Sequence, residues 1–118
     1  MRSWIQRFAC AFRGLGHLLT REPSGRIHAV CAVAVVAMGL LLRVSALEWA
    51  VLSLATGAVI AAEALNSAIE RLADRITSER EESIRILKDA AAGGVLAASI
   101  GAALAALAIF GPKLAALL

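Results

Sequence analysis

The sequence predicts an all-α integral membrane protein, with an amphipathic N-terminal surface helix followed by three transmembrane helices. Composition is the first observation behind that class. The chain has 118 residues and is 60% hydrophobic with only 4% aromatics. A soluble domain is roughly 45–50% apolar. The second observation is that the apolar residues gather in three runs, each near the ~20 residues a helix needs to cross a bilayer. The length fits a single domain over residues 1–118.

Residues 3–21 carry helical periodicity. Trp4, Phe8, Ala11, Phe12, Leu15 and Leu19 share one face, and Arg2, Gln6, Arg7, Arg13, His17 and Arg21 cover the other. Aromatics opposite arginines suit a helix lying in the headgroup plane. The same period would also serve packing on a partner protein. Glu22-Pro23-Ser24-Gly25 is expected to break this helix, because proline restricts the residue before it and glycine loosens the chain.

The first span is expected over residues 27–42 and the minimal loop Arg43-Val44-Ser45-Ala46 follows. Ser45 is a candidate N-cap, with Glu48 in the first turn of the next helix. The second span covers residues 47–65, and its helix is expected to run on to residue 76, since no Gly or Pro follows Gly57 in that stretch. Thr77 or Ser78 is the candidate cap of the next helix, with Glu79, Glu81 and Glu82 in its first turn. The third span is placed at residues 90–110, where Gly93, Ala97, Gly101 and Ala105 recur every four residues. Small residues at that spacing let helices approach closely.

Ten of the twelve basic residues lie before the first span or between the second and third; Arg43 and Lys113 are the other two. The positive-inside rule then places the N-terminus and the 71–89 segment in the cytoplasm and the C-terminus outside. Net charge is +3, and the basic residues form no clustered footprint for nucleic acid. Cys10 and Cys31 are not spaced as a redox pair and read as small semi-apolar fillers. The first apolar run starts too late and is too long for a signal-peptide core. His17 and His28 are too far from other ligand residues to suggest zinc, and the chain lacks the Gly-rich P-loop pattern.

The chemistry gathers where the second span ends. At about 100° per residue, Glu63, Asn66, Glu70 and Asp74 fall within an arc of roughly 80° on one helix face. Leu65, Ile69, Leu72 and Ile76 take the opposite face. Ionisable groups at a membrane boundary are costly and usually functional. Loss of water at Glu63 disfavours its charged form, which suits a general base. Glu70 lies about 10 Å further along the helix, where a hard cation could stay wetted. Mg²⁺ typically takes one or two carboxylates, phosphate oxygens and water. The plain alternative is a stripe neutralised by Arg71 and Arg75. Lys88-Asp89 and Glu22 add polar groups at the same interface. Taken alone, Lys88 reads as a snorkelling side chain and Glu22 as a helix-terminal surface residue.

Taken together, these residues resemble the small bacterial membrane lipid kinases of the prokaryotic diacylglycerol kinase and undecaprenol kinase family. The resemblance spans residues 8–110. It rests on Ala11-Phe-Arg-Gly-Leu15, on Glu22 with Arg26-Ile-His28, on Glu63-Ala-Leu-Asn-Ser-Ala-Ile-Glu70 with Asp74, and on Lys88-Asp89-Ala-Ala-Ala-Gly93. The resemblance implies a homotrimer of three-span protomers in the bacterial inner membrane, with ATP and a membrane lipid alcohol as substrates and Mg²⁺ as cofactor. By position, Glu63 is implied as the base that takes the lipid hydroxyl proton. Glu22 and Glu70 are implied as Mg²⁺ ligands. Lys88, Asp89 and Glu79 are implied at the nucleotide, Asn66 and Asp74 in the polar lining, and Arg13 and Gly14 near lipid or nucleotide.

Two positions depart from the family pattern. Arg80-Glu81 stand where Tyr-His or similar is common, and Gly25 stands where a Phe often precedes the Arg26 element. The Arg26-Ile-His28 and Lys88-to-Gly93 elements look more like the undecaprenol branch than the diacylglycerol branch. A different class, a non-enzymatic helical oligomer with carboxylates lining an ion pore, is the competing expectation.

Overall fold

The computed structural model describes residues 3–77, 79 and 81–118. Arg2, the candidate cap Ser78 and the substituted Arg80 lie outside the described residues. The described residues form four helices in sequence: α1 (Trp4–Arg21), α2 (Pro23–Leu41), α3 (Ala46–Ile76) and α4 (Glu82–Leu117). Three of them, α2, α3 and α4, are long and apolar enough to cross a membrane.

Ser3 starts α1 through a reciprocal cap. Its Oγ accepts from the Gln6 N–H at 3.3 Å, and its own N–H donates to Gln6 Oε1 at 3.0 Å. Trp4, Phe8 and Phe12 stay exposed along the helix.

The break expected over residues 22–25 contracts to Glu22 alone, which is extended between the two helices. Pro23 opens α2 at its first turn, where proline loses no helical hydrogen bond and its fixed φ suits the helix. Gly25 is helical and packs on the end of α1. A Cβ there would stand 1.9 Å from the Leu18 carbonyl oxygen. Its missing side chain permits a close approach, not a turn.

The short link from α2 to α3 turns on Arg43, whose φ is 53°. Ser45 then caps α3 as expected, with Glu48 closing the capping box. The Ser45 N–H donates to Glu48 Oε1 at 2.8 Å, and Lys113 reaches the same oxygen at 3.2 Å from α4. The buried apolar cluster sits at this end: Val44, Leu52, Ile109 and Phe110, with Trp49 against it. Trp49 lies so close on α2 that a Cβ at Gly39 would be 2.4 Å from its ring.

Helix α3 runs unbroken for 31 residues to Ile76, about 46 Å at 1.5 Å per residue. The next helix starts later than expected. Thr77 ends α3 rather than capping α4, its N–H bonded to the Ala73 carbonyl at 3.1 Å. Its hydroxyl accepts from the Glu79 N–H at 3.0 Å, so the oxygen that would cap a helix is spent in the turn. Glu81 becomes the N-cap of α4 without a side-chain bond. Glu79 and Glu81 therefore precede the first turn, and only Glu82 lies in it. At the far end α4 passes through Pro112 to Leu117, beyond the expected limit at residue 110. Its 36 residues span about 54 Å, the longest dimension of the molecule at 54 Å.

Candidate active site

The polar end of the bundle lies opposite the apolar cluster, where α1 meets α2 and α3 leaves its apolar stretch. Glu63 is the buried charged residue of the described chain, 4% exposed. An uncompensated carboxylate there would cost several kcal/mol, and three neighbours answer it. Ser24 Oγ of α2 donates to Glu63 Oε1 at 2.6 Å, and Ser67 Oγ reaches the same oxygen from one turn along α3 at 3.4 Å. His28 Nε2 lies 3.4 Å from the other oxygen, Oε2. Ser24 and His28 are four residues apart on α2 and so share one face.

Asn66 is next along the stripe. Its Oδ1 is buried and has no hydrogen-bond partner. An orphaned buried acceptor is costly and is suited to a donor arriving with a ligand. Glu70 follows, fully at the surface. Arg71 turns back to Glu22 in an ion pair and stands 3.3 Å from His17 Nε2 of α1. The stripe and the α1–α2 junction are thus tied together beside Glu70. Glu22 and Glu70 supply two hard carboxylates at this end, the number Mg²⁺ usually takes beside phosphate and water, and Glu22 is engaged by Arg71. Among the described residues, no three His, Cys, Asp or Glu side chains converge as a self-sufficient metal site.

Asp74 completes the stripe and accepts from Lys88 Nζ of α4 at 2.5 Å. Asp89 is held by Arg85 at 2.8 Å on its own helix. Arg85 also grips Glu82, ahead of the apolar part of α4. Its hydrogen bond holds the Glu82 carboxyl below the ordinary value.

The structure therefore links Glu63, Asp74, Lys88 and Glu22 to neighbouring helices. Other expected residues stay apart. Arg13 and Gly14 are exposed on α1, with no atom within 4 Å of a Cβ at Gly14. The Glu79 side chain is exposed in the α3–α4 turn. Three residues at Glu63 had no assigned role, Ser24, His28 and Ser67, and Arg71, expected to neutralise the stripe, pairs with Glu22 instead. The signal for the first two was their four-residue spacing, hidden as long as residues 22–25 were taken for a break.

Comparison with known proteins puts this arrangement in context. The sequence model of the family described as prokaryotic diacylglycerol kinase matches residues 9–110. An undecaprenol kinase of Bacillus subtilis is 34% identical over 114 residues, covering 97% of this chain and 93% of that protein. A diacylglycerol kinase of Synechocystis is 36% identical over 96 residues, covering 80% of this chain and 55% of that protein.

Proposed function

The chain belongs to the prokaryotic diacylglycerol kinase family, and on that premise we propose that it transfers the γ-phosphoryl group of ATP to the hydroxyl of a membrane lipid alcohol. Undecaprenol is favoured over diacylglycerol. The undecaprenol kinase aligns along 93% of its length and the diacylglycerol kinase along 55%.

One observation carries the reading. A buried carboxylate, Glu63, stands where the apolar stretch of α3 ends, and the polar row runs on through half-buried Asn66 to exposed Glu70 and Asp74. A lipid alcohol keeps its hydroxyl at the headgroup plane, while ATP arrives from water. Phosphoryl transfer asks mainly for positioning and charge neutralisation. The stripe from Glu63 to Asp74 spans both phases.

In this mechanism Glu63 takes the proton of the lipid hydroxyl as its oxygen attacks the γ-phosphorus, and the bond from that phosphorus to the β,γ-bridging oxygen breaks to release ADP. Asn66 offers its orphaned Oδ1 to a substrate hydroxyl or amine beside the base. Glu22 and Glu70 would hold Mg²⁺, which neutralises charge on the ATP phosphates when bound. Lys88, kept near the stripe by Asp74, reaches the phosphates, and Asp89 and Glu79 border the nucleotide. Arg13 and Gly14 on the surface helix face lipid or nucleotide. The N-terminus is cytoplasmic, the membrane is the bacterial inner membrane, and the working unit is a homotrimer. The exposed small face of α4 supports such packing: a Cβ at Gly93 or Gly101 would meet nothing beyond its own helix within 4 Å.

The testing experiment is transfer of radiolabelled phosphate from ATP into a panel of lipid alcohols by the purified protein. A non-enzymatic pore would label none of them.

A further inference from the structure

His28 stands on the candidate base without a role in the mechanism so far. Both hydroxyl donors to Glu63, Ser24 and Ser67, fall on Oε1. Oε2 is left to His28, whose Nε2 is 3.4 Å away. The imidazole also lines a cavity of about 380 Å³ between α2, α3 and α4, beside Ile27, Cys31 and Ser99. The same ring thus touches the base and the apolar space next to it. Catalytic contacts in ligand-free enzymes are often long and tighten with substrate.

We propose that His28 is a positioning residue for Glu63: with Ser24 one turn before it, it holds the carboxylate by both oxygens and aims it at the lipid hydroxyl. The inference rests on Glu63 being the base. His28 Nε2 stands 3.4 Å from Oε2, close enough to hold that oxygen as the contact tightens with substrate while Oε1 stays with the two hydroxyls.

Among the described residues, His28 and Glu63 enter no ion pair but the one with each other. The part of α4 that shares the cavity is Ser99, Ala102, Ala103 and Ala106. Arg26 on α2 turns to the Thr20 carbonyl at 2.7 Å, and His17 of α1 is beside Arg71.

The test compares His28→Ala and His28→Gln with the wild-type chain in lipid micelles, measuring kcat and the KM for ATP. His28→Ala should lower kcat by about 10²-fold, the low end of what proton-transfer groups contribute, with the KM for ATP unchanged. His28→Gln keeps a neutral donor. It should recover most of kcat. Wild-type kcat in both variants would overturn the proposal. So would equal losses in both with the KM for ATP raised, the mark of a merely structural role. A wild-type chain that phosphorylates no lipid would instead overturn the kinase reading beneath it.

Discussion

Ser24 on α2 donates its hydroxyl to Glu63 Oε1 on α3 at 2.6 Å, joining residues 39 apart in the chain. This contact fixes where the candidate base sits relative to the α1–α2 junction. Hydrogen bonds to charged groups contribute about 1.5–3 kcal/mol. Ser24→Ala should therefore lower kcat about 10-fold or more while leaving the KM for ATP near wild type. A rise in the KM for ATP at constant kcat would place Ser24 at the nucleotide instead.

Glu22 and Glu70 give a second test. Glu22→Gln and Glu70→Gln should each raise the Mg²⁺ needed for half-maximal activity by at least about 10-fold, with partial recovery at high Mg²⁺. Losses that ignore Mg²⁺ concentration would mean the two carboxylates act in folding. Circular dichroism melts of the same variants would show that directly.

Much of this was legible in the chain. The capping box of Ser45 and Glu48 is a local pattern, and it stands where it was expected. The unbroken α3 follows from the absence of Gly and Pro after Gly57, and the depth of Glu63 follows from the apolar run before it. What was not legible is tertiary or ambiguous. Pro23 serves equally as a helix breaker or a first-turn residue, and no local pattern decides between them. The ties of Arg71 to Glu22 and of Lys88 to Asp74 join residues 49 and 14 apart, and no periodicity encodes them. Thr77 had two open uses for one hydroxyl.

The small face of α4 predicts assembly. Gly101 meets nothing within 4 Å inside the protomer, so Gly101→Leu has room in a single chain. Between copies the added side chain would block close approach. Native mass spectrometry should find three copies in the wild type and a shift to smaller species in the variant. An unchanged trimer would move the interface to another face.

The ten-to-two distribution of basic residues predicts a cytoplasmic N-terminus. In a chain with Cys10 and Cys31 replaced, a thiol introduced at position 81 should be labelled only from the cytoplasmic side, and one at position 45 only from outside. The reverse pattern would put the carboxylate stripe away from cytoplasmic ATP.

The central claim is that Glu63 takes a proton from a lipid alcohol during phosphoryl transfer from ATP. Its most direct measurement is labelled phosphate transfer by the wild-type protein and Glu63→Gln over undecaprenol and diacylglycerol in mixed micelles. The account predicts that wild type labels lipid, undecaprenol faster than diacylglycerol, and that Glu63→Gln falls by about 10²–10⁴-fold while still binding ATP. Wild-type turnover by Glu63→Gln, or a wild-type protein that labels no lipid yet conducts ions in liposomes, would contradict it.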